Sequence, residues 1–109
     1  MVPGEDLSGR VLDLPGLVSC QPGAIVSKML VYKKSGTITL FAFDEGEGLS
    51  EHTAPYDAIL MVIEGEAEVT IAGTVSSLVP GQLIIMPANV PHAVHAITPF
   101  KMLLTMIHA

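Results

Sequence analysis

Glycine and proline interrupt this chain at short intervals, ten of one and eight of the other in 109 residues, and leave no segment with the apolar spacing of an amphipathic helix. The segments between them are short and rich in Val, Ile, Leu, Thr and Phe, which pack well on a pleated surface. This punctuation predicts an all-β chain with strands near 16–20, 25–32, 37–43, 48–53, 58–63, 66–72, 75–79, 82–86, 92–97 and 100–107. Several breaks have turn chemistry of their own: Gln21-Pro22-Gly23, Ser35-Gly36, Glu64-Gly65, Ala72-Gly73 and Pro80-Gly81 each end in the residue that accepts a positive φ without strain. Many short antiparallel strands in a single domain, 1–109, fit a jelly roll or a related small barrel, whose doubled sheets protect the strand edges.

Half of the residues are hydrophobic and only 15% are charged, so this domain has more apolar side chain to bury than charge to display. Residues 66–71 alternate polar and apolar, as a strand with one wet and one dry face does, whereas 58–63 are apolar throughout. A continuous apolar strand beside alternating ones implies that both its faces are covered, one by the barrel interior and the other by a second sheet or subunit, and a homodimer is expected. The same run is far shorter than the roughly 18 to 20 apolar residues that span a bilayer, so no membrane helix is expected.

The formal net charge is −6, and Arg10, Lys28, Lys33, Lys34 and Lys101 are too few and scattered to neutralise a phosphate backbone, which argues against a nucleic-acid partner. Cys20 is the only cysteine, so neither an intrachain disulfide nor a cysteine zinc cluster forms, and it reads as a small half-buried thiol. Residues 1–10, with Glu5 and Asp6, carry neither a basic start nor an apolar signal core, which points to the cytoplasm. The acidic residues Asp44, Glu45, Glu47 and Glu51 lack the spacing of a calcium loop and read as a solvated connection. Met61, Met86, Met102 and Met106 read as core packing, and His108 as a surface residue near the chain end.

Two histidine-bearing segments stand out. The first, 46–65, has Gly46, then His52 after five residues, then Gly65; the second, 81–96, has Gly81, Pro87 and His92. In this order and at this spacing the two segments resemble the paired motifs of a small single-domain cupin, and the match covers most of 36–97. The resemblance implies a double-stranded β-helix, the jelly-roll barrel of that family, with both motifs on adjacent strands and an interior pocket. It also implies a place for a metal, since family members hold iron, manganese, nickel or zinc with three histidines and a glutamate. Here His52 and His92 occupy two of those positions, while Ala54 stands at the second histidine and Ala58 at the glutamate. Asn89 stands where a glycine is usual, and asparagine tolerates the left-handed region, so the turn is expected to form. Ala96 replaces the final asparagine.

The expected ligand pocket therefore comprises His52, Ala54, Tyr56, Ala58 and His92. Asp57 is a weak candidate to replace the missing carboxylate, because strand alternation brings it inward only where Pro55 and Tyr56 bend the register. If His52 faces inward, Glu51 and Thr53 face outward; His95 likewise faces away from His92. Three functions stay open at this point. The first is a barrel that binds a small molecule through His52 and His92, with or without a weakly held metal. The second is a metal-dependent oxygenase, isomerase or decarboxylase with the same histidines as catalytic candidates. The third is a non-catalytic dimeric structural or sensing module.

Overall fold

The computed structural model describes residues 6–108. The first five residues, including the acidic start at Glu5, and Ala109 lie outside that range. The described chain forms one short helix, α1 (Leu14–Leu17), and nine strands: β1 (Ile25–Lys33), β2 (Gly36–Phe43), β3 (Gly48–His52), β4 (Asp57–Glu64), β5 (Ala67–Ile71), β6 (Thr74–Leu78), β7 (Leu83–Met86), β8 (His92–Ala96) and β9 (Phe100–Ile107). Nine of the expected strands are present within a few residues of their expected ends. The expected strand at 16–20 is not one. Pro15, with its φ already fixed near the helical value, sits in the first turn of α1 and favours one helical turn there. The backbone returns to an extended conformation at Val18.

The strands form two antiparallel sheets, one ordered β1-β2-β9-β4-β7 and the other β3-β8-β5-β6. Alternation decides what lies between them. On β4, Ala58, Leu60 and Val62 are buried while Ile59, Met61 and Ile63 are only half-buried on the other face. The inward residues join Val69 of β5, Val94 and Ala96 of β8, and Phe100 and Met102 of β9 in a single core. Toward the β4 end that carries Glu64, the rings of Phe43 and Phe100 stack with centroids 4.7 Å apart and fill the space between the sheets. The space between the sheets is therefore packed by aromatic rings at that end.

The turn residues take the conformations their chemistry suggested. Ala72 and Gly73 both have positive φ, the requirement of a two-residue hairpin whose twist matches its strands. Asn89 adopts φ 63°, as expected of the residue that stands for glycine in the second motif. Gly65 is the most constrained position: its φ is +76°, and a Cβ there would run into the carbonyl oxygen of Pro99 and lie 2.7 Å from the Cβ of Phe100. Gly81 has a similar φ of +89° with open space around it.

On the outer face of the larger sheet, Ile85, Ile59, Thr105, Ile38 and Val31 form one cross-strand row, and Leu83, Met61, Leu103 and Leu40 a second. Leu14, Leu17 and Val18 cover the Leu40 side, whereas Leu83 and Ile85 remain more than half exposed. The two glycines separate backbone strain from steric collision. Gly81→Ala is expected to cost about 1–2 kcal/mol, the penalty for an L-residue in the left-handed region, and Gly65→Ala distinctly more because backbone must also move. Urea midpoints of the two variants, read at unchanged slope, check this; equal losses would contradict the close approach at Gly65.

Candidate functional site

His52 ends β3 and His92 opens β8, and the register of that pair sets the two residues directly opposite each other. Their rings meet edge to face, with centroids 4.4 Å apart and planes at 70°. His92 is buried and His52 is exposed, so the pair runs from the interior to the surface. Each ring is fixed by the carbonyl two residues before it: Nδ1 of His52 lies 2.7 Å from the carbonyl oxygen of Ser50 on β3, and Nδ1 of His92 lies 3.1 Å from that of Val90 in the turn before β8. A carbonyl oxygen only accepts, so in each hydrogen bond Nδ1 carries the proton and donates. The neutral ring then holds its lone pair on Nε2, and no hydrogen bond from the described residues occupies either Nε2. Two oriented acceptors, with tautomers set by the backbone, are the site's polar equipment.

Below them is a cavity of about 50 Å³ between the sheets. Leu49 and Val94 line it from the smaller sheet beside the histidines, with Ala54 from the following turn; Ala58, Met86, Met102, Leu104 and Met106 line it from the larger sheet. The loops that frame its rim are tied together, since the backbone N–H of Asn89 donates to the carbonyl of Ala54 at 2.7 Å. The chain thus brings His52, Ala54, Ala58 and His92 together at one cavity. It does not bring Tyr56 and Asp57 there. Tyr56 stacks on His108 with centroids 3.9 Å apart, which makes His108 a half-buried packing partner instead of the surface residue expected. Asp57 is exposed, and its Oδ1 accepts the backbone N–H of Ala88 at 2.8 Å. His95 is exposed on the opposite face of β8 from His92, as alternation requires.

The lining residues that sequence reasoning did not assign to the site are Leu49, Met86, Val94, Met102, Leu104 and Met106. Three of these are methionines, which read as plain core. In the registers β4–β7 and β4–β9, Ala58 pairs with Met86 on one side and Met106 on the other, so two thioethers flank the position where the family has its glutamate. At Ala54 and Ala58 the cavity wall is methyl, no carboxylate lines it, and among the described residues no group of three or more His, Cys, Asp and Glu side chains is placed to hold an ion. Catalytic zinc sites keep three protein ligands of nitrogen, oxygen or thiolate type, so the residues here do not fit a divalent ion of the family's kind.

Comparison with known proteins adds the following. Residues 39–108 match the family model described as the cupin domain. A conserved protein of unknown function from Streptococcus pyogenes is 34% identical over 100% of this chain and 96% of that one, with a TM-score of 0.90. A cupin superfamily protein from Desulfitobacterium hafniense is 30% identical over 93% of each chain, with a TM-score of 0.87. A cupin 2 conserved barrel domain protein from Leptotrichia buccalis is 39% identical over 88% of this chain and 47% of that one, with a TM-score of 0.85. No curated protein matches this chain.

The missing carboxylate makes a direct prediction. Ala58→Glu is expected to destabilise the metal-free protein by about 1–3 kcal/mol through overpacking and a buried unpaired charge, and Ni(II) or Co(II) should recover most of that loss by completing a His-His-Glu set. Thermal melts with and without the ion check both halves; a variant as stable as the wild type without metal would contradict the tight apolar lining around Ala58.

Proposed function

The chain belongs to the cupin family, and we propose that it works as a ligand-binding barrel in which His52 and His92 hold the polar end of a small molecule. The observation that carries this reading is the histidine pair itself: two rings in contact, each tethered through Nδ1 to a carbonyl two residues back, each with Nε2 left for a guest. In the neutral form Nε2 accepts a hydrogen bond from a hydroxyl or amide; protonated, it donates to a carboxylate.

Size narrows the guest. A drug-sized ligand needs a pocket of about 300–1,000 Å³, and the share of liquid volume taken by one water is about 30 Å³. A cavity of about 50 Å³ therefore admits an end group and leaves the rest of a larger molecule outside, over exposed His52. This supports binding by a terminal carboxyl, amide or hydroxyl group. The cytoplasm suits the single unpaired thiol of Cys20. In the described residues no helix is long and apolar enough to cross a membrane.

A panel of short-chain carboxylic acids and primary amides, scored by thermal shift, tests the reading. A binder at 100 times its Kd adds about 2.7 kcal/mol, which corresponds to a rise of several degrees. The rise is expected in the wild type and absent in His52→Ala; an equal rise in both would place binding elsewhere.

The reading extends to assembly. The two apolar rows on the outer face of the larger sheet, with Leu83 and Ile85 exposed at their edge, fit a second copy of this chain packed sheet to sheet about a twofold axis. Light scattering is expected to give twice the chain mass for the wild type and the monomer mass for the Leu83→Lys, Ile85→Lys double variant. A wild-type monomer at micromolar concentration would contradict it.

A further inference from the structure

The outer face of the larger sheet carries two unfilled features at its opposite edges. At the β1 edge the arm 6–14 and the sheet enclose an open groove of about 670 Å³, with Leu7 and Leu12 on the arm side and Leu30, Val31, Ile38 and Leu103 on the sheet side. At the β7 edge Leu83 and Ile85 stand more than half exposed. We infer that these are the two halves of one contact between copies of this chain: Leu83 and Ile85 of one protomer fill the groove beside the arm of its partner. This inference rests on the reading that two copies pair through this sheet, and it gives the pairing a direction and the arm a task.

Strand order and register carry the inference. The sheet runs β1-β2-β9-β4-β7, so the groove and the projecting pair lie at opposite edges of one face. Cross-strand pairing sets Ile85, Ile59, Thr105, Ile38 and Val31 in a single row, so Ile85 and the groove residues Ile38 and Val31 also lie at the same height along the strands. Two such faces related by a twofold axis parallel to the strands meet with β7 of each over β1 of the other. That operation preserves height along the axis, which sets Ile85 on the partner's Val31 and Ile38. Face-to-face sheets keep their strand directions within about 30° of each other, so the arrangement is an ordinary packing geometry. An axis across the strands would instead stack groove on groove and leave both open. The area is also of the right order: five strands at about 4.8 Å spacing and about 3.3 Å per residue offer roughly 600 Å² per face, and the arm brings this close to the ~800 Å² per partner of a stable interface. Val11, wholly exposed on that arm, gains cover from the partner's sheet. Apolar burial drives the association, and the twofold uses every contact twice.

The test is isotope-filtered NMR of the tag-free wild-type protein, mixed from equal amounts of carbon-labelled and unlabelled chains so that only contacts between protomers are seen. Expected are methyl contacts from Ile85 to the partner's Val31 and Ile38. Within one chain Ile85 and Val31 are four strand spacings apart, about 19 Å, too far for such a signal. Val31→Lys puts a charge into the groove at an exposed edge position, so the monomer is expected to fold; sedimentation equilibrium should show its dimer dissociation constant raised at least tenfold. Contacts of Ile85 with the partner's Ile85, or none at Val31 and Ile38, would overturn the inference while the dimer reading stands, and would leave the groove to a small apolar ligand. Unchanged dimer affinity in Val31→Lys would overturn it as well. A wild-type monomer would remove both the inference and the dimer reading.

Discussion

The site depends on strict side-chain alternation along strands that face each other across the barrel. On β8 it turns His92 and Val94 inward and His95 out; on β4 it turns Ala58, Leu60 and Val62 inward; on β9 it aligns Phe100, Met102, Leu104 and Met106. A slip of one residue in any of these registers would move every one of those side chains to the other face. Glycines in left-handed turns hold the registers in place, and Gly65 does so at the tightest point, where β4 turns against Pro99 and Phe100. The backbone conformation of a few turn residues thus reaches the chemistry of two imidazoles near the far end of the same sheets.

The barrel divides its interior between two tasks. The end near Glu64 and Lys101 is packed solid by the Phe43 and Phe100 rings, which gives the small domain the apolar burial it needs. The end near Asp57 and Ile107 gives up packing around Ala54 and Ala58 for a small cavity edged by the only buried polar side chain in the described core, His92.

Much of this was legible in the sequence. Glycine and proline spacing located the strands, because turns need particular φ values that few residues adopt. The two histidines and the two alanines that depart from the family pattern emerged from motif spacing, and alternation correctly separated His92 from His95. Three features were not legible. Residues 16–20 carry apolar, strand-like side chains, but Pro15 and its fixed φ favour a helical turn that takes in Gly16 and Leu17. Tyr56 and His108 are far apart in sequence, and only the pairing of Asp57 with Ile107 reveals that they meet. The methionines were indistinguishable from core because their role depends on which strands lie beside β4. That neighbour relation, β9 on one side and β7 on the other, is nonlocal and no periodicity encodes it.

The backbone carbonyls of Ser50 and Val90 hold both imidazoles as Nδ1–H tautomers, which leaves Nε2 open to a guest. Long-range proton–nitrogen NMR of the histidine side chains, recorded in alkaline solution where imidazole is neutral, tests it without assuming what the guest is. His52 and His92 are both expected to show a protonated Nδ1 and an unprotonated Nε2. A protonated Nε2 on either ring would contradict this, because that ring would then offer a guest a donor, and not a lone pair, at Nε2.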